Sequence, residues 1–132
     1  MKKLLVRTLA TGLLVLSVRA EAQGTKLMIF GGDNHKTYLG CLNCSQYDSD
    51  SVHNKYGDHG SQYASDSVFN PYGEYGSQYS NESACNPYAN DPPVIVDGNG
   101  GFYGRLTLNL YHPQATKNQA LQGWLTGVCE HN

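Results

Sequence analysis

The chain has 132 residues, with nine Lys and Arg against eleven Asp and Glu, and a formal net charge of −2. Residues 1–7 carry three basic side chains, residues 9–18 are an apolar run, and Ala20-Glu21-Ala22 is a small-x-small sequence typical of signal-peptide cleavage. The apolar run is too short to cross a bilayer as a helix. We therefore predict a signal peptide over residues 1–22 and a protein exported to the periplasm or the extracellular space.

Removal of the signal peptide changes the charge. It takes away four of the nine basic residues and one of the eleven acidic ones, which leaves five against ten and a net charge of −5. Residues 23–132 then form a single mature domain with no membrane span. Because a nucleic-acid binder needs a basic patch, the acidic balance argues against that class of protein.

The first hairpin is predicted over residues 25–44. Residues 27–30 read as a strand, residues 31–34 as a turn, and residues 37–42 as a return strand. The large aliphatic residues gather here and again in residues 92–128, so we expect the core to come from the two ends of the chain.

Residues 45–92 contain a sixteen-residue repeat, written three times. The fullest copy reads Ser61-Gln-Tyr-Ala-Ser-Asp-Ser-Val-Phe-Asn-Pro-Tyr-Gly-Glu-Tyr-Gly76. Each copy holds two tyrosines, a serine, an asparagine and an acid in register. These positions are Tyr47, Tyr63 and Tyr79; Tyr56, Tyr72 and Tyr88; Ser51, Ser67 and Ser83; Asn54, Asn70 and Asn86; and Asp50, Asp66 and Glu82.

The local chemistry of each copy favours turns. Pro71 disfavours helix at Asn70, whereas Gly73 and Gly76 permit the chain to reverse. No copy has the alternating apolar pattern of a strand. We predict a turn-rich loop whose tyrosines stack as a ladder or pack onto the flanking sheet; the alternative is a disordered, low-complexity segment that self-assembles.

A second hairpin is predicted over residues 93–111, with strands at 94–96 and 102–110 around an Asp97-Gly98 turn. Residues 29–43 align with residues 95–109, so the two hairpins are related. The predicted fold class is mainly β with much irregular loop: two related β-hairpins form a small sheet and bracket three 16-residue tyrosine-rich turn/loop repeats.

A short amphipathic helix over residues 114–129 completes the prediction. Thr116 and Gln119 have capping-box spacing. One face of the helix is apolar, and we expect that face to cover the sheet. Its residues are Ala120, Leu121, Trp124, Leu125 and Val128.

The four cysteines are Cys41, Cys44, Cys85 and Cys129, and in an exported chain they are expected to form disulfides. The pairs are either Cys41–Cys44 with Cys85–Cys129, or cross-links from the first two cysteines to the other two. The Cys-x-x-Cys spacing also occurs in thiol–disulfide oxidoreductases, where it opens a helix. Here it follows a strand, so structural disulfides are the favoured interpretation.

Calcium is the one cofactor that the sequence suggests, because an acidic exported chain offers hard oxygen ligands at Asp48, Asp50, Asp66 and Glu82. Capping of turns by Asp, Asn and Ser explains the same residues without an ion. The histidines lack the spacing of a zinc site, and His53 and His59, which occur only in the first copy, are expected to face solvent. No catalytic residues are predicted.

Residues 29–110 resemble a group of small exported bacterial proteins with repeated Asn-Pro-Tyr-Gly and Tyr-Gly-Ser-x-Tyr-Ser elements. The resemblance is carried by Tyr38-Leu-Gly-Cys-Leu-Asn-Cys44, the Tyr-x-x-Asp-Ser-x-x-Asn-x-Tyr-Gly units and Pro92-Pro-Val-Ile-Val96. Ala89 departs from the pattern, as a terminal copy can. The resemblance implies export and brings no activity or catalytic residue.

The sequence thus predicts a non-catalytic binding or structural protein of the cell envelope or the extracellular space. Its partner would be a protein or a glycan, or a second copy of the chain. The alternatives are a self-assembling extracellular repeat protein and a thiol–disulfide oxidoreductase. The predicted binding face consists of Tyr47, Tyr56, Tyr63, Tyr72, Tyr79 and Tyr88 with Asn54, Asn70 and Asn86.

Overall fold

A computed structural model describes residues 25–130, so the predicted signal peptide lies outside the described residues. The described part contains one antiparallel sheet with strand order β2-β1-β3-β4 and one helix. The strands are β1 (Leu27–Gly31), β2 (Thr37–Cys41), β3 (Val94–Asp97) and β4 (Phe102–Arg105), and the helix is α1 (Gln119–Glu130). The predicted fold class, two hairpins that form one small sheet with much irregular loop, is confirmed.

The two hairpins join through their first strands. β1 and β3 are antiparallel neighbours, and Ile29 lies opposite Ile95. These two residues are also equivalent in the alignment of the hairpins, so the residues that correspond by sequence meet at the centre of the sheet. Both are fully buried.

The outer strands are covered in the same way at both edges of the sheet. Cys41 of β2 forms a parallel bridge with Ser51, and Arg105 of β4 forms one with Ala115. In each case the strand residue donates its amide to a carbonyl nine residues on, and its own carbonyl accepts from an amide eleven residues on. The chain therefore occupies part of each edge, where an open strand would invite pairing with another molecule.

A glycine precedes each of these bridges. Gly40 has φ +121° and Gly104 has φ +95°, a region that residues with a side chain rarely adopt. A Cβ at Gly40 would lie 2.9 Å from Cγ1 of Val52, and one at Gly104 would lie 3.0 Å from Cα of Thr116. Both glycines thus permit the covering segment to approach the strand.

β4 is shorter than predicted, because it ends at Arg105 rather than at residue 110. The amide of Leu106 donates to the carbonyl of Pro93, and the amide of Leu108 donates to the carbonyl of Ala84 in the third repeat. The chain therefore leaves the sheet after β4 and packs against the repeats.

The repeats are a succession of tight turns, and the turns account for the period of sixteen. In the first copy the carbonyls of Ser45, Asp48, Ser51 and Asn54 each accept from the amide three residues on. The carbonyl of Gly57 then accepts from Ser61, four residues on. Four steps of three residues and one of four return the chain to the same position in the next copy.

Each copy also contributes to the core, which corrects the expectation that only the chain ends would do so. Ser51, Ser67 and Ser83 have no exposed surface, and each Oγ accepts the amide two residues on. The apolar residues that follow them lie in one cluster with the sheet. That cluster includes Ile29, Leu39, Val52, Val68, Tyr75, Ala84, Ile95, Leu106 and Leu125.

The helix was predicted to cover the sheet, but it lies along the repeats. Trp124 makes edge contacts with His53 and Phe69, with ring centroids 5.6 and 5.9 Å away, and Cys129 is bonded to Cys85. His53, Phe69 and Cys85 are sixteen residues apart, so all three copies face the helix with the same position. The helix also starts later than predicted, because Asn118 rather than Thr116 caps it: Oδ1 of Asn118 accepts the amide of Leu121.

Candidate functional site: the tyrosine surface

One row of tyrosines follows the first serine of each copy. The amides of Tyr47, Tyr63 and Tyr79 donate to Oγ of the serine two residues earlier, at 3.2, 3.1 and 3.0 Å. Such side-chain turns fix the backbone at the tyrosine without help from its ring. The ring is therefore left free to point outward.

A second row follows the asparagines. The amides of Tyr56, Tyr72 and Tyr88 donate to Oδ1 of Asn54, Asn70 and Asn86 at 3.0, 3.0 and 2.9 Å. Nδ2 of each asparagine donates to the carbonyl six residues earlier. This hydrogen bonding accounts for the asparagines by the fold alone, so the candidate binding surface rests on the tyrosines that they position.

The six tyrosines of the two rows are between 82% and 95% exposed. The predicted packing of these rings on one another or on the sheet is therefore wrong. The interior of the repeats is filled instead by the buried serines Ser51, Ser67 and Ser83 and by the apolar residues that follow them, Val52, Val68 and Ala84. Large rings that are exposed in this number are a candidate contact surface, because large exposed apolar patches mark sites of interaction.

A further turn of the same kind lies outside the three copies. Oδ1 of Asn109 accepts the amide of Tyr111 at 3.1 Å, and Nδ2 of Asn109 donates to the carbonyl of Ala89. Tyr111 is 97% exposed. Tyr111 was not predicted as part of the surface because residues 102–110 have the pattern of a strand; the Asn-x-Tyr spacing was the available signal.

Two adjoining grooves lie beside the rows. The first, of about 690 Å³, is lined by Tyr56, Tyr63, Gln62 and Phe69 among others. The second, of about 730 Å³, includes Tyr47. Both grooves share Gln46, His53, Lys55 and Tyr56.

The two histidines of the first copy have partners in the fold. His53 remains exposed, but its Nε2 donates to the carbonyl of Leu42 at 2.8 Å and its ring contacts Trp124. His59 is half-buried and its ring contacts Tyr38, with centroids 5.1 Å apart. The expectation that both face solvent is therefore incomplete, because His53 also contacts Leu42 and Trp124 and His59 also contacts Tyr38.

The acids predicted as calcium ligands lie in different surroundings. Asp50 Oδ2 is 2.8 Å from Nζ of Lys26 and accepts the hydroxyl of Tyr38 at 2.7 Å. The hydrogen bond from Lys26, followed by that from Tyr38, holds the pKa of Asp50 below its usual range. Asp50 is thus already neutralised by the protein's own cation.

Glu82 lies apart from Asp50, in an acidic cluster with Asp33, Glu74 and Asp91. Carboxylate oxygens of Asp33, Glu82 and Asp91 lie within 4.8 Å of one another. Burial, then hydrogen bonding and charge from Glu74 and Asp33, raises the pKa of Glu82 to about 7. Its buried Oε2 has no hydrogen-bond partner among residues 25–130, and carboxylates can share a hydrogen bond only when one of them is protonated.

Asp91 links this cluster to the sheet. Its Oδ1 lies 2.7 Å from Nη1 of Arg105 and 2.9 Å from Nε2 of His35. Burial acts to raise the pKa of Asp91, but the hydrogen bonds from Arg105 and His35 outweigh it and hold the pKa below its usual range. Arg105 also donates to the carbonyl of Pro92 and to Oε1 of Gln114, so the group ties β4 to both flanking segments.

The four cysteines form Cys41–Cys44 and Cys85–Cys129, which is the first of the two predicted pairings. Cys41 is fully buried at the end of β2, and the segment after Cys44 is a series of turns. A redox-active cysteine pair is activated by the start of a helix. No helix begins within residues 42–92, so that activation is missing here.

No protein family, curated protein or solved structure matches the chain. Over residues 25–130, no helix combines the length and the apolar composition that a bilayer crossing needs.

Proposed function

We propose that the protein acts in the cell envelope or the extracellular space as a non-catalytic binding or structural protein, and that the tyrosine rows are its contact surface. The observation that carries this proposal is the exposure of the six row tyrosines, all at least 82% exposed, on turns that serine and asparagine side chains brace. Rings held in this way lose little conformational freedom on binding. The two disulfides agree with an oxidising compartment.

The experiment compares the wild type with a variant in which Tyr56, Tyr72 and Tyr88 are changed to Ser. Purified protein is mixed with cell-envelope fractions of the producing cells, and the bound fraction is measured after sedimentation. We expect the variant to lose most of its binding while its circular dichroism and thermal midpoint stay close to those of the wild type. A matched control changes two exposed residues outside the rows, Tyr103 and Leu110, to Ser. Equal binding by wild type and triple variant would refute the proposal.

Self-assembly is the second candidate function, and the form of the sheet favours one route for it. Since the chain itself covers part of both sheet edges, copies would associate through the tyrosine rows rather than by strand pairing. Sedimentation velocity over a range of concentrations tests this route. Association that the Tyr56, Tyr72 and Tyr88 substitutions abolish would support it, and a monomer at every concentration would exclude it.

A further inference from the structure

The two grooves at the first and second copies adjoin. Their linings share Gln46, His53, Lys55 and Tyr56, so together they border the surface from Tyr47 past Tyr56 to Tyr63. Each groove lies within the range of about 300–1,000 Å³ that small-ligand sites occupy. We call this surface the tyrosine trough.

The charge of the tyrosine trough differs from that of the rest of the chain. Its lining contains no Asp or Glu, although residues 25–130 hold ten acids against five basic residues. Lys55 is the one lysine or arginine in the lining, and its Nζ lies 5.5 Å from the ring centroid of Tyr56. The trough is thus nearly neutral within an acidic protein.

The remaining lining groups are rings and amides. Tyr47, Tyr56 and Tyr63 offer flat apolar faces with a hydroxyl at the tip, and Gln46 and Gln62 offer amide donors and acceptors. Nε2 of Gln62 donates to the hydroxyl of Tyr63 at 3.0 Å, which places an amide directly beside a ring. Phe69 adds apolar surface.

We infer that the tyrosine trough binds a neutral glycan, with sugar rings against Tyr56 and Tyr63 and sugar hydroxyls bonded to the glutamine amides. A pyranose has an apolar C–H face and a rim of hydroxyls, which matches a surface of tyrosine rings beside amides. A polyanionic glycan is disfavoured because the net charge of residues 25–130 is −5. This inference rests on the proposed function, of which it names the ligand class.

The test is affinity electrophoresis of the full mature chain in native gels that contain a soluble polysaccharide. The probes are a neutral β-1,4-glucan, a neutral β-1,4-mannan, a neutral α-1,4-glucan and, as the anionic comparison, polygalacturonate. We expect at least one neutral probe to retard the wild type. Tyr56→Ala and Tyr63→Ala should each weaken the retardation by about tenfold, the usual effect of removing a central aromatic contact.

The matched control is Tyr103→Ala. Tyr103 is an exposed tyrosine (43%) that lies outside both tyrosine rows and outside the trough lining. It should leave the retardation unchanged. Thermal midpoints of all three variants check that each is folded, which is expected because the substituted rings are exposed.

Three results would overturn the inference: no retardation by any neutral probe, equal weakening by Tyr103→Ala, or retardation by polygalacturonate alone that Lys55→Ala abolishes. The first leaves the proposed function standing if envelope binding still depends on the row tyrosines, since the partner would then be a protein. Absence of both glycan retardation and tyrosine-dependent envelope binding would refute the inference and the proposed function together.

Discussion

Ile29 and Ile95 face each other in β1 and β3, and neither side chain has exposed surface. They form the centre of a sheet in which two related hairpins meet, and they connect that sheet to the interior of the repeats. Truncation of either residue would leave a cavity between the sheet and the interior of the repeats.

We predict that Ile29→Ala and Ile95→Ala each lower the free energy of unfolding by about 2–5 kcal/mol. Denaturant titration of the oxidised protein measures this loss. Because the two side chains are neighbours, the loss of unfolding free energy in the double variant should differ from the sum of the two single losses. Leu110→Ala, at a residue that is 64% exposed, is the control and should change the free energy by less than about 0.5 kcal/mol.

Gly40→Ala should destabilise the protein by about 1–2 kcal/mol or more. The residue has φ +121°, and the new Cβ would come within 2.9 Å of Val52 and 2.7 Å of His59. Gly123→Ala should act in the opposite direction and stabilise α1 by about 0.5–1 kcal/mol, because nothing lies within 4 Å of its added Cβ. Thermal denaturation of the two variants gives the comparison, and the same sign for both would contradict it.

The asparagines and the tyrosines that they position should differ in their effects on stability. Asn70→Ala removes the hydrogen bond from Nδ2 to the carbonyl of Ala64 and the one to Oδ1 from the amide of Tyr72, so we expect a loss of about 1–3 kcal/mol. Tyr72→Ala removes a ring that is 95% exposed and should change stability by less than about 0.5 kcal/mol. Urea titration distinguishes the two; a larger loss for Tyr72→Ala would mean that the ring packs on the protein.

Stability should fall as the pH rises from 4.5 to 7. The pKa of Glu82 is raised from 4.5 to about 7 in the folded state, so over this interval the unfolded chain releases a proton that the folded chain retains. The depressed pKa values of Asp50 and Asp91 act in acid, where their stabilisation is lost as the pH falls below 3.8. The most stable pH is therefore expected between about 4 and 5.

Glu82→Gln tests the origin of this dependence. It should flatten the profile of thermal midpoint against pH between 4.5 and 7 and leave the acid side intact. Glu130→Gln, at an exposed residue, is the matched control and should keep the wild-type profile. A profile that Glu82→Gln leaves unchanged would assign the dependence to another group.

The disulfides should differ in their importance. Cys85–Cys129 joins residues 44 apart and ties the third copy to α1, so replacing both cysteines by Ala should cost roughly 2–4 kcal/mol. Cys41–Cys44 joins residues only three apart, and its removal should cost less. Denaturant titration of the two double variants orders them.

The oxidoreductase alternative has a direct test. In an insulin-reduction assay the wild type and Cys41→Ser should behave alike, because Cys41 is buried and no helix activates the pair. Turnover by the wild type that Cys41→Ser abolishes would instead establish thiol–disulfide exchange.

The hairpins could be predicted because their signals are local. Asp97-Gly98 between apolar runs specifies a tight turn, and the correspondence of Ile29 with Ile95 follows from aligning one hairpin with the other. The end of β4 could not be predicted in this way. Residues 102–110 keep an apolar pattern, but Leu108 pairs with Ala84 of the third copy, a contact that sequence spacing does not reveal.

The position of the helix was hidden for a different reason. His53, Phe69 and Cys85 occupy the same register but share no side-chain chemistry, so they do not stand out as a repeated feature, and yet all three contact α1. The tyrosine rows were recognised, whereas their exposure was not. Large rings are usually expected in an interior, whereas here the small side chains of serine, valine and alanine fill the interior of the repeats.

The helix has a consequence for how this chain can vary in length. Trp124 contacts the first two copies and Cys129 is bonded to the third, so about one and a half turns of α1 extend along the three copies. A fourth copy inserted between the second and third copies would move Cys85 one copy further from the residues that contact Trp124, beyond the reach of Cys129 unless α1 grew by a matching length. The contacts of Trp124 and Cys129 thus match an array of three copies, and we expect a longer array to require a longer C-terminal helix.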